Sequence, residues 1–284
     1  MADGELDEVG YWTELKLDIL EKYARAYTKI MSNQKAIRSY AYIDGFAGPG
    51  LNISATTGQQ IAGSPSIALG IQPPFSRYHF IDMDGNRVDQ LRRLAGKRLG
   101  ADVEVHQGDC NSVLLEEIFP RYPYSRFCRA LCVLDPYRLD PNWEVVEAAG
   151  KMKSVEIFMN FMIMDANRNV LWRRPEEVSE TQTGRMDTKW GDESWRNVVY
   201  RSQQTLFGEE IEKIPQANQA IVAAYRERLI KVAQFNFVPE PIPMRNNRGA
   251  TVYYLFFASH NRTGDKIIRD IFSKYRDRGA PDVS

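Results

Sequence analysis

Cysteine is scarce in this chain, which has three cysteines among 284 residues. They are Cys110, Cys128 and Cys132, and no two of them stand in a C-x-x-C pair. The odd number and this spacing argue against a disulfide framework and against a cysteine-rich zinc site. Because free thiols are typical of a reducing environment, we expect a cytoplasmic protein.

Long apolar runs and an excess of charge of one sign are also missing. No apolar run approaches the length of a membrane span. The N-terminal segment, Met-Ala-Asp-Gly-Glu, is acidic and lacks the apolar region of a signal peptide, so we expect none. The 37 lysines and arginines balance the 37 aspartates and glutamates, so the net charge indicates no general attraction to nucleic acid or to a membrane.

Short β-rich runs alternate with helical patterns along most of the chain. Apolar residues from Trp12 to Ile30, at spacings of three and four, predict a first helix. Strands are predicted at residues 39–44, 77–84, 103–109, 130–135 and 155–161. A glycine-rich loop and a long polar stretch follow the first strand. The alternation predicts an α/β fold with a doubly wound, mostly parallel, seven-stranded sheet of the Rossmann-like kind.

The C-terminal part departs from this alternation. Residues 236–244 and 252–257 are β-rich and flank a turn-rich loop, so they predict an antiparallel hairpin at the end of the sheet. Residues 165–215 show no strand-like alternation and are predicted to form a mostly helical insertion, or lid, over the mouth of the sheet. No linker composition separates these segments, so residues 1–284 are predicted to form a single domain.

Four successive predicted strands end in an acidic residue beside turn-forming residues. The first ends in Asp44-Gly-Phe-Ala-Gly-Pro-Gly50, and the others end at Asp82 or Asp84, at Asp109 and at Asp135. In a doubly wound sheet, ligands bind outside the carboxyl ends of the strands. These acids are therefore predicted to surround one site.

The loop after the first strand has a use for each residue if the ligand is S-adenosylmethionine. Gly45, Gly48 and Gly50 allow a tight turn and a close approach of the backbone to a ligand. Asp44 is predicted to meet the ammonium group of this cofactor, directly or through water.

The acids of the later strands have roles around the same ligand. In dinucleotide-binding folds an acid at the end of the second strand accepts hydrogen bonds from the ribose hydroxyls. We favour Asp84 over Asp82 for this role because it comes last. Asp109 is predicted to accept from the adenine amino group, and Asp135 and Tyr137 are predicted to face the methyl group and the substrate.

Local structural roles are the alternatives for the same residues. A glycine-rich loop is often no more than a turn, and an aspartate at a strand end is commonly a helix N-cap. Asp84 and Asp109 each fit that simpler role, whereas four caps in this order are harder to explain. The loop lacks the G-x-G-x-x-G pattern of dinucleotide sites, and the sequence contains no G-x-x-x-x-G-K-[ST] phosphate-binding loop.

The acidic strand ends belong to a series of short motifs. These read Y-I-D-G-F-A-G-P-G at 42–50, G-S-P at 63–65, F-I-D-M-D at 80–84, G-D-C-N at 108–111, L-D-P-Y at 134–137, N-F at 160–161 and N-R at 167–168. Over about residues 12–260 they resemble the three-Cys-motif partner (TcmP) family, which is similar to class I S-adenosylmethionine-dependent methyltransferases. The family name refers to the cysteines of a neighbouring protein. The resemblance implies S-adenosylmethionine as the cofactor, with Phe46 and Cys110 also at its site.

The segment from Asp135 to Tyr137 also resembles the Asp-Pro-Pro-Tyr motif of amino-group nucleic-acid methyltransferases. In that motif the aspartate accepts a hydrogen bond from the target amine, and the aromatic ring stacks on the base. The resemblance implies catalytic roles for Asp135 and Tyr137 and substrate contacts for Pro136 and Asn160. The chain departs from the motif in having one proline, with Arg138 after the tyrosine. It contains no Pro-Cys dipeptide, so a cysteine-nucleophile mechanism lacks its usual residue.

Tryptophans and histidines outside these motifs have two interpretations. Trp190 and Trp195, in an insertion with many arginines, are predicted to stack on nucleic-acid bases, with a packed tryptophan core as the alternative. His79, His106 and His260 lie in apolar strands without metal-ligand spacing. We therefore expect structural roles for the histidines and no metal site.

The resulting hypothesis is an S-adenosylmethionine-dependent methyltransferase that acts on a nucleic acid, RNA or DNA. Methyl transfer from a sulfonium is a direct displacement that requires in-line positioning and groups that accept charge from the nucleophile. Two alternatives stay open. One is a non-catalytic, cofactor-binding partner of a three-Cys-motif protein, and the other is a small-molecule methyltransferase whose insertion serves as a lid.

Overall fold

The computed structural model describes residues 7–205, 208–246 and 248–276. Its strands are β1 (Asp7–Val9), β2 (Ser39–Asp44), β3 (Leu51–Ser54), β4 (Gln60–Ala62), β5 (Arg77–Asp82), β6 (Val103–Gln107), β7 (Cys128–Leu134), β8 (Val155–Phe161), β9 (Tyr200–Thr205), β10 (Gly208–Lys213), β11 (Ile242–Arg245) and β12 (Thr251–Ala258). The helices are α1 (Tyr11–Asn33), α2 (Ser64–Gly70), α3 (Gly85–Gly96), α4 (Cys110–Ser112), α5 (Trp143–Met152), α6 (Ile163–Asn169), α7 (Glu180–Trp190), α8 (Trp195–Val199), α9 (Ala217–Lys231) and α10 (Arg262–Tyr275). A π-helical segment, Val113–Ile118, continues α4.

A seven-stranded sheet in the order β11-β12-β8-β7-β2-β5-β6 forms the centre of the described chain. β2 pairs in parallel with β5 and β7, and the parallel pairing extends to β6 on one side and to β8 on the other. β12 runs antiparallel to both β8 and β11. The predicted doubly wound, mostly parallel sheet and its C-terminal hairpin are therefore confirmed. The strand order places the carboxyl ends of β2 and β7 side by side at the centre.

Burial on both faces explains why the central strands are apolar. Every residue of β8 is buried, and Leu131, Cys132 and Leu134 of β7 are fully enclosed. α5 and α9 pack in the hydrophobic cluster on one face of the sheet, and α1 and α10 pack in the cluster on the other. Helices thus cover both faces, as parallel sheets require.

The first helix packs on the sheet with the apolar face that the sequence predicts. Ile19, Tyr23 and Tyr27 are buried on this face. The Tyr23 ring meets Phe158 of β8 edge-on, with 5.4 Å between the ring centroids. The same buried face includes a cation, Lys16, which the sequence analysis did not single out.

A second, small sheet follows β2 in the part of the chain that we expected to be a polar loop. β3 and β4 form an antiparallel hairpin, and β1 pairs in parallel with β3. Most side chains of β3 and β4 are exposed or half-buried. Since burial does not impose an apolar alternation on such short strands, the sequence carries no clear signal for them.

The segment 165–215 combines helices with a β-ribbon. α7 and α8 follow α6, and β9 and β10 then pair antiparallel. The expectation of a mostly helical insertion is therefore corrected at residues 200–213. The described side chains of the ribbon beyond Tyr200 are exposed or half-buried, so no period-two pattern of apolar residues marks its strands.

The three cysteines are free thiols. Cys110 and Cys132 are buried, and Cys128 is half-buried.

Among the residues that the structure describes, no helix combines the length and the apolar character needed to span a bilayer.

Candidate functional site

A pocket opens at the carboxyl ends of β2, β7 and β8, where the sequence predicts a ligand site. Its cavity volume is about 260 Å³. The lining comes from α1, from the loops after β2 and β7, and from the start of α2, and it includes Trp12, Lys16, Gly48, Ser64 and Asp135. Residues that lie far apart in the sequence therefore share one cavity.

A larger apolar groove of about 540 Å³ lies elsewhere, between α5 and the helical turns that follow β6. Phe119, Pro123, Tyr124 and Met152 line it, and none of its described lining residues is charged. The side chains that are able to carry chemistry meet at the strand-end pocket instead, which we take as the candidate site.

The loop after β2 is open toward the pocket at Gly48. This residue has φ of +62°, a left-handed conformation that favours glycine, and no described heavy atom lies within 4 Å of the place of a Cβ. Its N–H donates to Oδ2 of Asp82 at 3.0 Å. Gly50 is also left-handed, with φ of +80°, but a Cβ there would lie 2.7 Å from Leu94. Gly48 therefore fits a role at a ligand, whereas Gly50 is required by the packing of the loop.

Gly45 and Cys110 pack against each other behind the loop. A Cβ on Gly45 would lie only 2.7 Å from Sγ of Cys110. Burial raises the pKa of the Cys110 thiol well above its ordinary value. Both residues pack behind the loop and do not line the pocket, and their contact with a cofactor stays a prediction. Phe46 does line the pocket and stays a candidate for that contact.

Asp44 lies below the surface of the pocket. Its fully buried carboxylate accepts hydrogen bonds from the hydroxyl of Tyr42 and from the N–H of Phe46, both at 3.3 Å. Burial raises the pKa of Asp44 to about 6, although a hydrogen bond from Ser64 acts in the opposite direction. Asp44 is not among the residues that line the pocket. A contact with the ammonium group of a cofactor would therefore run through water.

The two acids at the end of β5 have different roles. Asp84 is the N-cap of α3, and its Oδ1 accepts from the N–H groups of Asn86 and Arg87 at 2.8 and 3.2 Å. Asp82 accepts from the N–H groups of Gly48 and Asp84 and so ties the glycine loop to the strand end. The structure thus shows the capping alternative for Asp84, and whether Asp84 or Asp82 accepts from the ribose stays a prediction.

Asp109, at the end of β6, is also a helix cap. Its Oδ2 accepts from the N–H of Ser112 at 3.0 Å, and the residue does not line the pocket. The adjacent Asn111 accepts from the N–H of Asn142 at 2.8 Å, which joins this strand end to the loop after β7. The structure thus shows the capping role, and the contact with adenine stays a prediction.

Asp135, directly after β7, is the centre of a three-residue cluster. Its Oδ1 accepts a hydrogen bond from Nδ2 of Asn160, and its Oδ2 forms an ion pair with Nζ of Lys16. The side chains of Lys16 and Asp135 are 9% and 28% exposed, so the pair is largely removed from bulk water. We call this group the Lys16–Asp135–Asn160 cluster.

The cluster unites two residues that the sequence predicts and one that it does not. Asp135 and Asn160 lie close together because β7 and β8 are neighbours in the parallel sheet. Lys16 comes from α1, 119 residues before Asp135. The only signal for it was a lysine on an apolar helix face, and such a lysine usually extends its ammonium into water.

Tyr137 presents its ring at the mouth of the pocket. Its side chain is 69% exposed, and it lines the pocket together with Pro136. The ring therefore lies at the pocket mouth two residues after Asp135, and its contact with a substrate stays a prediction.

Trp190 and Trp195 lie in the hydrophobic core, at 1% and 2% exposure. Nε1 of Trp190 donates to Oγ of Ser194 at 2.9 Å, and Nε1 of Trp195 donates to Oδ1 of Asp187 at 2.6 Å. The predicted stacking on bases is corrected, because packed indoles with satisfied N–H groups offer no free face. None of the described residues that line the pocket falls within 165–215, and the lid role of this segment stays a prediction.

Comparisons with known proteins bear on the fold. No family model and no curated protein matches the chain. Among solved structures, protein LPL1258 from Legionella pneumophila is 12% identical with a TM-score of 0.50, over 95% of this chain and 94% of that one. YhhF from Escherichia coli, described as a candidate methyltransferase, is 11% identical with a TM-score of 0.36, over 84% and 87%. The bifunctional kinase-methyltransferase WbdD is 11% identical with a TM-score of 0.42, over 90% of this chain and 44% of that one.

At 12% identity the likeness to LPL1258 concerns the fold alone. The sheet, with the antiparallel β12 between β8 and β11, is the seven-stranded, mostly parallel arrangement that the sequence predicts. The chain therefore has a methyltransferase-like α/β fold.

Proposed function

We propose that the protein is an S-adenosylmethionine-dependent methyltransferase whose site is the pocket at the carboxyl ends of β2 and β7. The observation that carries this proposal is the Lys16–Asp135–Asn160 cluster beside the open backbone at Gly48. One partly enclosed cavity brings together the buried ammonium group of Lys16, the carboxylate of Asp135 and the backbone of Gly48, which has no side chain.

The charges of the pocket fit the methionine part of S-adenosylmethionine, which carries a carboxylate, an ammonium group and a sulfonium. Lys16 is the one lysine or arginine among the described lining residues, so it is the cation available to the carboxylate. Asp135 in the lining and Asp44 beneath it supply negative charge for the two positive groups. For the ribose hydroxyls we propose Asp82, which accepts a hydrogen bond from the N–H of Gly48.

In the proposed mechanism, Lys16 exchanges its partner when the cofactor binds. In the structure, Lys16 and Asn160 occupy one oxygen each of the Asp135 carboxylate. A cofactor carboxylate that attracts Lys16 frees Oδ2 of Asp135 for a hydrogen bond from a target amine. Binding of the cofactor and preparation of the acceptor are thereby coupled.

The proposed reaction requires positioning and charge stabilisation from these residues. The bound cofactor supplies a methyl group on a positively charged sulfur. On transfer of the methyl group from sulfur to a target amine, the amine nitrogen would gain positive charge and would then lose a proton to solvent. Asp135 accepts a hydrogen bond from the amine and so stabilises the developing charge, while Asn160 holds the carboxylate in orientation. Tyr137 contacts the face of the ring that bears the amine.

A planar ring with an exocyclic amine, such as a base of RNA or DNA, suits this arrangement. Tyr137 stands exposed at an open mouth, and the described lining of the pocket includes no residue of 165–215. A base presented from a long polymer can enter such a mouth, whereas a site for a small molecule encloses most of its ligand. We therefore prefer a nucleic-acid substrate to a small molecule.

The ion pair itself favours a second candidate function. Lys16 and Asn160 already engage one oxygen each of the Asp135 carboxylate, which leaves a target amine only the remaining lone pairs beside the lysine charge. A protein that binds the cofactor while Lys16 stays on Asp135 would serve as a non-catalytic partner, for which the three-Cys-motif protein is the candidate. The two functions differ in whether Lys16 leaves Asp135 when the cofactor binds.

Two measurements test the proposal in sequence. Calorimetry with S-adenosylmethionine and with its demethylated product tests the pocket. Transfer of a radiolabelled methyl group to the RNA, DNA and small-molecule fractions of a cell extract then tests the reaction. Asp135→Asn should transfer at least about 10²-fold more slowly, the scale of losing one positioned electrostatic group. Asp270→Asn, on the exposed side of α10, is the matched control and should transfer normally.

The outcomes separate the candidates. Labelled nucleic acid that disappears with Asp135→Asn supports a nucleic-acid methyltransferase, and a labelled small molecule redirects the substrate class. Binding without transfer into any fraction supports the non-catalytic partner. Absence of binding by either ligand contradicts the proposed cofactor site.

A further inference from the structure

Two histidines and a glutamate meet on the sheet away from the pocket. His79 on β5 pairs in register with Glu104 on β6, and His106 follows Glu104 by two residues. Because side chains alternate along a strand, all three project from the same face of the sheet. None of them lines the candidate pocket. This trio is a cluster that the proposed function does not use.

The three inward-facing ligand atoms form a compact triangle. Nδ1 of His79 lies 3.2 Å from Nε2 of His106, and Oε2 of Glu104 lies 4.0 and 3.9 Å from these two nitrogens. A point about 2.2 Å from all three atoms therefore exists, close to the zinc–nitrogen and zinc–carboxylate bond lengths of about 2.0–2.2 Å. No movement of the backbone is needed to bring the ligands together.

The outward-facing nitrogens of both imidazoles have partners of their own. Nε2 of His79 lies 2.7 Å from the hydroxyl of Tyr122, and Nδ1 of His106 lies 3.3 Å from Oε2 of Glu117. Metal-binding histidines commonly donate their second N–H to such groups, which fixes the tautomer whose lone pair faces the metal. Glu117 belongs to the π-helical segment, and π-helical turns are frequent at functional sites.

The Glu104 carboxylate also binds Arg121. Nη1 of Arg121 donates to Oε2 at 2.7 Å and Nη2 donates to Oε1 at 2.5 Å. A carboxylate has about four lone-pair positions, and Arg121 leaves some of them free for a metal.

Hydrogen bonds alone offer another account of part of this geometry. A chain from Tyr122 through His79 and His106 to Glu117 satisfies the ring nitrogens if Nδ1 of His79 donates to Nε2 of His106. That chain leaves out Oε2 of Glu104, which a hydrogen bond from Nη1 of Arg121 at 2.7 Å holds nearly equidistant from the two nitrogens. A shared metal ion would bring all three ligand atoms into one site.

We propose that His79, Glu104 and His106 form a binding site for a divalent transition-metal ion, with zinc as the expected occupant. Two imidazoles and a carboxylate suit zinc better than magnesium or calcium, which prefer oxygen ligands alone. The ion joins the edge strand β6 to β5. The two histidines lie 27 residues apart on different strands, which is why sequence spacing indicated no metal site.

Zinc chloride added to the chelator-treated full-length protein tests the site. After dialysis, the wild-type protein should retain one zinc ion per chain and melt at a higher temperature than without zinc. His106→Gln should lose both the retained zinc and the zinc-dependent shift. His260→Gln removes a histidine elsewhere and Cys128→Ser removes the most exposed thiol, so both controls should behave as wild type.

A second variant and a spectrum keep the test decisive if His106→Gln is unstable. Glu104→Gln retains an oxygen for Arg121 but loses the anionic ligand, and should bind zinc at least tenfold more weakly. Cobalt in place of zinc should give visible absorption in wild type that His106→Gln lacks. Equal zinc retention by wild type and by both variants, or no retention by wild type, would overturn the proposal in favour of the hydrogen-bonded chain.

Discussion

Lys16 and Asp135 form an ion pair that joins the N-terminal helix to the end of β7 in the lining of the candidate pocket. Neither side chain is more than 28% exposed, so water screens the pair only in part. Removal of one partner from a buried pair leaves a charge without compensation, which costs far more than the loss of a surface ion pair. The pair is therefore expected to exchange its partners on ligand binding rather than to separate in the free protein.

Replacing Lys16 by methionine should weaken S-adenosylmethionine binding by about 10- to 100-fold. The reason is the loss of a hydrogen bond to a charged group, worth roughly 1.5–3 kcal/mol, while methionine keeps the apolar stem. Calorimetry gives the Kd of each protein. Lys29→Met, on the exposed side of the same helix, should bind as wild type. An unchanged Kd in Lys16→Met would limit this lysine to a structural role beside Asp135.

Substitutions of the two acids at the end of β5 should have different effects, one on cofactor affinity and the other on stability. Asp82→Asn should weaken cofactor binding by about tenfold or more, because the ribose loses a charged acceptor. Asp84→Ala should keep its affinity and lose about 0.5–2 kcal/mol of unfolding free energy, because it removes a helix cap. Calorimetry and denaturant unfolding on both variants measure the two effects, and the reverse pattern would return the ribose role to Asp84.

Two left-handed glycines with open surroundings offer a matched pair. Gly48 and Gly58 have φ of +62° and +67°, and no described heavy atom lies within 4 Å of a Cβ at either position. Leucine at either site should cost about 1–2 kcal/mol of stability, because its backbone is strained there. Only Gly48→Leu places a side chain in the pocket and should abolish cofactor binding. Loss of affinity in both variants would mean that strain, and not steric exclusion, is responsible.

Signals that are local in the chain led to the strand ends and to the sheet. The buried part of β7, from Ala130 to Leu134, is a continuous apolar run, so its end, and Asp135 after it, could be located from sequence alone. The acids could also be recognised as helix caps, but the choice between cap and ligand contact could not be made. That choice depends on where the next helix begins, and the structure shows it at Asp84 and Asp109.

Features that depend on distant contacts could not be predicted. Lys16 is separated from Asp135 by 119 residues, and nothing in the pattern of α1 indicates which strand end it will reach. Trp190 and Trp195 lie among charged residues in the sequence, which left both base stacking and a packed core open, and both side chains pack inside. A tryptophan between charges carries no information about which side of its helix faces the core until the neighbouring helices are placed.

The core position of Trp190 predicts a stability effect without a binding effect. Trp190→Ala should lose about 3–5 kcal/mol of unfolding free energy, the usual cost of removing a large buried ring. Trp172→Ala, which removes an indole that is 39% exposed in the same segment, should lose much less. Denaturant unfolding compares them, and both should bind S-adenosylmethionine as wild type while folded. A small loss in Trp190→Ala would contradict the assigned packing.

Glu156 is a buried acid within the apolar strand β8, and it predicts a pH dependence. Its carboxyl accepts hydrogen bonds from the hydroxyls of Tyr23 and Ser259. Burial raises its pKa from 4.5 to about 7. Below pH 4.5 both the folded and the unfolded chain hold the proton. Between pH 4.5 and about 7 only the folded chain holds it, so folding takes up a proton and this group lowers stability as the pH rises.

Glu156→Gln isolates this contribution, because glutamine has nearly the same size and is neutral at every pH. The unfolding free energy of wild type relative to the variant should fall by about 3 kcal/mol between pH 4.5 and about 7, at about 1.4 kcal/mol per pKa unit, and then stay constant. Denaturant unfolding of both proteins from pH 4.5 to 8 measures the difference. Other titrating groups, such as Asp44, contribute equally to both proteins and cancel. A difference that stays constant across this range would show that Glu156 is ionised in the folded protein and that its pKa is not raised.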